Sequence, residues 1–328
     1  MSDIALRFHK DMLVLSAPIA AVLARQGVDV TRDLEYLNLI EPEAVRDALR
    51  LESIAGAQCI VANTEGIAPA RLAHHGMEDR AEELARAALA AVQGLRPQHV
   101  LAEIGPCGLP LDGSSAASLN ENRSQYARAV RAFEGGTFDA FLFDGFANPV
   151  DLKCALMGAR QASDRPVFAS VDVDGDGLML DGRTTIEEAA SLMGEFGASV
   201  AGFSAGAPVE QVAALVERVC STVDLPVLVQ LRIAERAPRQ GAPTPENPYY
   251  CPDVMVEAAA RLRAAGAQFL RAAGDATPAY TGALAAATDG FDVVAPRDAQ
   301  PVEEDEPDFA ELLAAARSKS LFSSREEG

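Results

Sequence analysis

Residues 261–274, RLRAAGAQFLRAAG, contain the end of a helix, a glycine and a short apolar strand in immediate succession. A glycine just past the last helical residue is typical of a helix C-terminus, and the loop to a following parallel strand is usually short. The same order occurs in ESIAGAQCIVANT (52–64), AFEGGTFDAFLFDG (132–145) and GEFGASVAGFSAG (194–206). This repetition predicts that helices and strands alternate along the chain and that the strands are parallel.

Eight apolar runs have the unbroken hydrophobic character of strands that are buried on both faces. They cover residues 11–16, 58–63, 99–104, 139–144, 166–172, 199–204, 225–231 and 267–272. Eight strand–helix units predict an α/β fold, a closed (β/α)8 (TIM) barrel formed by one domain over residues 1–293. The alternative, a doubly wound open sheet, is less favoured because no GxGxxG motif follows the first strand.

The last part of the chain, residues 294–328, differs from the rest in its acidic composition. It predicts a C-terminal tail outside the barrel, in which DFAELLAAARSK is the one pattern suited to a short helix. The whole chain of 328 residues carries 48 acidic and 28 basic residues, a net charge of −20. This charge argues against nucleic acid or an anionic membrane as a partner.

The five cysteines, Cys59, Cys107, Cys154, Cys220 and Cys251, are odd in number, widely spaced and form no CxxC pair. They therefore predict structural thiols in a reducing cytoplasm rather than a disulfide framework. The apolar N-terminal run is interrupted by serine and proline, so we expect a first strand there and neither a membrane span nor a cleaved leader.

In a barrel of this kind the carboxyl ends of the strands form the mouth at which ligands bind. The residues predicted at these ends are mostly polar: Ser16, Asn63, Thr64, Glu103, Asp144, Asp172, Ser204, Gln230, Ala272 and Ala273. Polar residues are also common at ordinary strand–loop junctions, so a purely structural role stays open for each of them.

The segment from LNLIEPEAVRDAL to IVANT ends in Asn63 and Thr64, and three further strand ends lie in AEIGPCG, FLFDGF and AAGDATPAY. In this order and spacing the segments resemble the homocysteine S-methyltransferase family, and the first of them is similar to the family's second strand–helix unit. AEIGPCG (102–108) is similar to the family's Gly-Pro after the third strand. FLFDGF (141–146) has Asp144 where the family has glutamate, and AAGDATPAY (272–280) falls where the family has Gly-Gly-Cys-Cys-Gly-Thr-Thr-Pro.

The resemblance implies a methyltransferase of methionine and one-carbon metabolism, but this sequence lacks the family's zinc ligands. In the family three cysteinates hold a zinc ion that keeps the substrate sulfur as a thiolate. Here the corresponding positions are Ser204, Ala273 and Gly274, and the family's opening Asp-Gly is replaced by Ser16 and Ala17. Serine is a poor zinc ligand and alanine is none, so we expect no zinc or other metal site and no bound cofactor.

The substrate-binding half of the family site is better preserved. The resemblance implies that Asp144 acts as an ammonium partner, and Asn63, Thr64, Glu103 and Ser204 complete the candidates for binding a small amino-acid-like ligand. No catalytic residue is assigned at this stage. The family also implies a methyl-corrinoid on a partner protein, or a partner methyltransferase, as the source of the methyl group.

Three functions are compatible with this pattern. The first is a divergent methyltransferase whose acceptor, such as an amine, needs no zinc or whose donor is a corrinoid partner. The second is a catalytically silent barrel that binds an amino acid or a partner protein. The third is an unrelated barrel enzyme in which Asp144 or Glu103 acts as a general acid or base.

Overall fold

The computed structural model of the chain contains a closed barrel of eight parallel strands in sequential order. It describes residues 4–30, 34–235 and 239–294. The strands are β1 (Leu13–Leu15), β2 (Cys59–Ala62), β3 (His99–Ile104), β4 (Ala140–Phe146), β5 (Val167–Asp172), β6 (Val200–Ala205), β7 (Val227–Ile233) and β8 (Ala267–Gly274). The eight predicted strands and the (β/α)8 barrel are confirmed.

Helices cover the outside of the barrel between the strands. They are α1 (Ala20–Arg25), α2 (Leu37–Ile40), α3 (Pro42–Ala55), α4 (Pro69–Leu72), α5 (Ala81–Gln93), α6 (Ala116–Arg131), α7 (Pro149–Ala162), α8 (Ile186–Glu195), α9 (Val209–Thr222), α10 (Val254–Ala264) and α11 (Pro278–Thr288). Short 3-10 turns cover Ile4–Arg7, Leu34–Tyr36, Ala73–His75 and Glu78–Arg80. None of the described helices is both long and apolar enough to cross a membrane.

Helix boundaries follow local sequence signals. Pro42 and Pro278 each stand in the first turn of their helix, where the missing amide hydrogen costs no hydrogen bond. Gly56 ends α3 in a left-handed conformation with φ 106°, which a side chain would strain. The glycine between helix and strand seen in the sequence therefore has a direct conformational cause.

The core has two parts, one between the barrel and the helices and one inside the barrel. The inner part is apolar and includes Leu13, Val61, Leu142, Phe168 and Phe269. Because alternate residues of a strand point to the same side, the residues two positions after these inner ones, such as Asp144, Ser170 and Arg271, also face the barrel axis. The apolar interior therefore continues toward the carboxyl ends of the strands, where the inward positions become polar.

The predicted acidic tail lies almost entirely outside the described residues, since residues 295–328 are not among them. Its short helix and its separation from the barrel at residue 294 stay predictions.

Candidate functional site

The mouth of the barrel contains a buried arginine that is contributed by β8. Arg271 is 1 % exposed, although it is one of the longest charged side chains in the protein. Its Nη1 donates to Oε1 of Glu103 at 2.7 Å, to Oδ2 of Asp144 at 3.0 Å and to Oε1 of Gln230 at 3.2 Å. Its Nε donates to the carbonyl of Ser16 at 2.9 Å. One guanidinium thus connects side chains from β3, β4, β7 and β8.

Gln230 extends this network across the barrel. Its Nε2 donates to Oδ1 of Asp144 at 2.5 Å and to the hydroxyl of Ser170 at 2.7 Å, while its Oε1 accepts from Arg271. Asp144 also accepts from the amide of Gly145 at 2.8 Å. Both carboxylate oxygens of Asp144 therefore have protein partners, and the guanidinium of Arg271 stands where the sequence predicted a ligand ammonium.

The main electrostatic effect in the network is a raised pKa of Glu103. Burial raises the pKa of Glu103 from 4.5 to about 7, and the neighbouring charges of Asp144 and Glu65 act in the same direction while Arg271 opposes them. Burial acts to lower the pKa of Arg271, but Glu103 and Asp144 outweigh it, so that pKa is raised. Glu103 can therefore change its protonation state near neutral pH beside a permanent positive charge.

A second ion pair lies on the other side of the mouth. Nη2 of Arg232, on β7, is 2.7 Å from Oδ1 of Asp172 and donates to the hydroxyl of Ser204 at 3.2 Å. Burial raises the pKa of Asp172, and Arg232 opposes that rise. Arg232 is the strand neighbour of Ala273 on β8. Its guanidinium consequently lies among Ser204, Ala273 and Gly274, the positions that the sequence resemblance assigned to the family's metal ligands.

Asn63 and Thr64 lie at the end of β2 and are tied to the protein. The Asn63 amide donates to the carbonyl of Leu34 at 2.9 Å and to Oδ1 of Asn38 at 3.2 Å. Thr64 is fully buried, and its hydroxyl donates to the Glu103 carbonyl at 2.8 Å and accepts from the Glu103 amide at 3.1 Å. Thr64 therefore positions Glu103, in line with the structural alternative left open for it, whereas Asn63 borders the cavity described next.

A cavity of about 260 Å³ opens beside Glu103 and Arg271. One wall is apolar and is built from Ala17, Pro18, Ile19, Ala20, Val30, Leu34, Val61 and Ala62. The polar lining consists of Glu35, Asn63, Glu65, Arg71, Glu103 and Arg271. A cavity with an apolar wall and a few convergent polar groups is typical of a small-molecule site. Two of the predicted site residues, Asn63 and Glu103, border the cavity. Asp144 does not border it but accepts a hydrogen bond from Arg271, which does.

The residues at the family's metal positions do not fit a zinc ion. Ser204 accepts a hydrogen bond from Arg232, Ala273 has no ligating atom, and Gly274 has φ 68°. A side chain at Gly274 would place its Cβ 2.5 Å from the carbonyl oxygen of Ile233. The backbone thus excludes a cysteine there, and the nearby guanidinium would repel a divalent cation. Among the described residues no group of three or more His, Cys, Asp or Glu is placed to hold a metal.

Cys107 follows β3 and is the cysteine nearest to a strand end in the sequence. It is 1 % exposed, and its thiol contacts Oδ1 of Asn122 at 3.1 Å while its amide donates to the hydroxyl of Tyr126. Tyr126 in turn donates to Asp151 at 2.7 Å. Burial raises the pKa of the Cys107 thiol. Cys107 is therefore part of a buried network under α6 and α7 and cannot serve as a relocated zinc ligand.

We predict that protein purified without chelators contains far less than one zinc per chain. The physical reason is that Ser204, Ala273 and Gly274 supply no thiolate. Metal analysis of the purified chain checks this. A content of about one zinc per chain that is lost in Cys107→Ser would contradict it and would support a site at that thiol.

Sequence reasoning missed several residues of the site, among them Arg271, Arg232 and Glu35. Arg271 and Arg232 each interrupt an apolar strand. Because side chains alternate between the two faces of a strand, both arginines could have been assigned to the inward face if the strand ends had been known. Their strands extend to Gly274 and Ile233, beyond the predicted ends at 272 and 231. Glu35 gives no such signal, because it lies in the turn Leu34–Tyr36 between β1 and β2.

Comparisons with known proteins identify the family of the chain. The family model described as homocysteine S-methyltransferase matches residues 14–287. A methionine synthase from Mycobacterium tuberculosis is 27 % identical over 267 residues, which is 77 % of this chain but only 22 % of that protein. The chain thus spans about a fifth of the length of this curated relative.

The solved structures that match show the same fold. The metallated homocysteine methyltransferase of Escherichia coli superposes with a TM-score of 0.69 at 18 % identity, covering 84 % of this chain and 96 % of that one. Its apo form superposes with a TM-score of 0.64. The order of strands, the motifs at their ends and the extent of the family match lead to one conclusion: the chain belongs to the homocysteine S-methyltransferase family.

Proposed function

We propose that this protein is a methyltransferase of methionine or one-carbon metabolism that acts on a small acceptor without a zinc thiolate. The observation that carries the proposal is Glu103, a carboxylate with a pKa of about 7 that borders the cavity at the mouth. A general base is most effective when its pKa is near the operating pH. The acceptor that such a base suits is an amine, since a protonated nitrogen must lose a proton before it can accept a methyl group.

The roles of the residues follow from their contacts. Glu103 takes the proton of the acceptor, the nitrogen forms the new bond to the methyl carbon, and the donor keeps the electron pair of the bond that breaks. Arg271 and Thr64 hold Glu103 in place by a side-chain and a backbone contact. Gln230 holds Asp144 against Arg271. We propose a methyl group carried on a corrinoid by a partner protein as the donor.

The proposal is tested by incubating the protein with homocysteine or small amines and with each of several methyl donors. The donors are S-methylmethionine, betaine, methylcobalamin, and methyltetrahydrofolate with a corrinoid protein. We expect a methylated amine by mass spectrometry, little methionine, and a loss of about 10²-fold or more in Glu103→Gln. Transfer to homocysteine that is fast and independent of Glu103, or no methylated product with any donor, would overturn it.

A second candidate function is a barrel that binds a ligand without catalysing a reaction. It is favoured by the guanidinium of Arg232, which lies at the degenerate metal positions and contacts Ser204. The two candidates are separated by the same assay, because a silent barrel binds small amines but forms no methylated product. A match of the family model over residues 14–287 gives no support to the third possibility, a barrel of unrelated descent.

A further inference from the structure

Glu35 is a buried carboxylate that the chemistry proposed above does not use. It is 2 % exposed, and its Oε1 accepts from the amide of Gly66 at 2.5 Å. Its Oε2 has no hydrogen-bond partner among the described residues. Burying a carboxylate oxygen without a partner is costly. Glu35 borders the cavity, where a ligand with a hydrogen-bond donor would remove that cost.

The backbone around Glu35 is shaped to admit the carboxylate. A side chain at Gly66 would place its Cβ 2.8 Å from Oε2 and 3.0 Å from Oε1 of Glu35. At Gly105 a Cβ would likewise lie 2.8 Å from Oε1 of Glu65. The two glycines therefore leave room for two carboxylates, both of which border the 260 Å³ cavity.

The charges that border this cavity do not balance. Glu35, Glu65 and Glu103 supply three carboxyl groups, whereas Arg71 and Arg271 supply two guanidiniums. Arg71 is paired with Glu65 at 2.9 Å, and Arg271 is shared between Glu103 at 2.7 Å and Asp144 at 3.0 Å. Glu35 has no ion pair among the described residues, and burial raises its pKa. A cation beside Glu35 would favour its ionised form.

The chemistry of the lining selects the kind of cation. The described residues place no group of three metal-ligating side chains here, which argues against a metal ion. An ammonium group supplies hydrogen-bond donors for Oε2 of Glu35, and the apolar wall from Ala17 to Ala20 suits a short alkyl chain. Because the whole chain carries a net charge of −20, a cationic ligand is also attracted over distance.

We infer that this cavity binds a small alkylammonium or amino-acid ligand by its ammonium group, with Glu35 as the anchor. The inference rests on the proposed function and names its acceptor: the amine that Glu103 deprotonates is the one that Glu35 holds. It differs from the expectation from the sequence, in which Asp144 was the ammonium partner, because Arg271 and Gln230 already occupy the carboxylate of Asp144.

The test is direct binding, without any methyl donor. L-methionine and n-propylammonium chloride are titrated against the full chain by ligand-observed NMR and thermal shift, with sodium chloride at equal ionic strength as the blank. N-acetyl-L-methionine and sodium propionate serve as probes that lack the ammonium. We expect saturable binding of the two amines, none of the other two, and an increase in Kd of tenfold or more in Glu35→Gln.

Glu52→Gln is the matched control. Glu52 is also fully buried with one oxygen, Oε1, that lacks a partner, but it contacts Ala17 and Thr281 and does not border the cavity. We expect this variant to bind both amines like the wild type. The Tm of each unliganded variant shows that it is folded.

Four results would overturn the inference: no saturable binding of either amine, equal binding of N-acetyl-L-methionine, wild-type affinity in Glu35→Gln, or equal losses in Glu35→Gln and Glu52→Gln. Failure of the proposed function gives a different result from failure of this inference. If amines bind in a manner that depends on Glu35 but no methyl group is transferred, the inference holds and the proposed function fails. If a methyl group is transferred and Glu35→Gln has no effect, the proposed function holds and the inference fails.

Discussion

Replacing Arg271 with methionine is expected to lower the free energy of unfolding by about 3–5 kcal/mol. Arg271 is fully buried and neutralises Glu103 and Asp144 at 2.7 and 3.0 Å. Its removal leaves two carboxyl groups close together with no positive partner, and Gln230 loses the donor to its Oε1. Urea denaturation monitored by circular dichroism measures the change.

Two comparisons show whether the loss comes from the uncompensated charges. Arg232→Met removes a similar side chain from a partly exposed pair with Asp172, and we expect it to cost about 1 kcal/mol or less. The triple variant Arg271→Met, Glu103→Gln, Asp144→Asn should regain a large part of the stability lost by Arg271→Met alone. If the triple variant is no more stable than the single one, packing of the long side chain, and not charge, is the main contribution of Arg271.

We expect the contribution of Glu103 to the stability of the wild type to fall as the pH rises, whereas the contribution of most carboxyl groups rises with pH. The pKa of Glu103 is about 7 in the folded chain against an ordinary value of 4.5, so folding favours its protonated form. The contribution of Glu103 is therefore complete below about pH 4.5 and is lost as the pH rises to about 7. The Glu103→Gln variant has no carboxyl group at this position and lacks this loss. Its free energy of unfolding, relative to that of the wild type, should therefore rise by about 2–3 kcal/mol between pH 4.5 and 8.

The measurement is the difference in unfolding free energy between variant and wild type as a function of pH. Glu187→Gln is the control of opposite sign, because a hydrogen bond from Arg218 lowers the pKa of Glu187 to about 2. Its contribution is present above the ordinary pKa, so the difference for this variant should stay level from about pH 5.5 to 8. A difference for Glu103→Gln that is equally level would show that Glu103 is ionised throughout this range.

The barrel could be predicted from the sequence because its signals are local. Glycines such as Gly56 and Gly266 end helices in conformations that favour glycine, and an apolar run follows each of them. Every parallel strand that is buried on both faces needs an apolar run, so the number and order of the strands can be counted from the sequence. The absence of cysteine at Ser204, Ala273 and Gly274, the positions that the resemblance assigns to the family's metal ligands, is likewise read directly from the sequence.

The partners at the mouth could not be predicted in this way. Arg271 and Glu103 are 168 positions apart in the chain, and only closure of the barrel places their side chains 2.7 Å from each other. For Thr64 the sequence left a ligand contact and a structural role open, and the structure shows that its hydroxyl holds the backbone of Glu103, because neighbouring strands bring the two together.

What the sequence by itself determined is thus the architecture, the family and the absence of the cysteines. Only the tertiary structure decided which charges meet. Arg271 contacts the carboxylate that the sequence assigned to a ligand ammonium, that of Asp144. The turn at Glu35 places beside the cavity a buried carboxylate, one oxygen of which has no hydrogen-bond partner among the described residues. The physical reason is that periodicity reports which face of a strand is buried, whereas the pairing of buried charges depends on distances across the barrel that no local pattern contains.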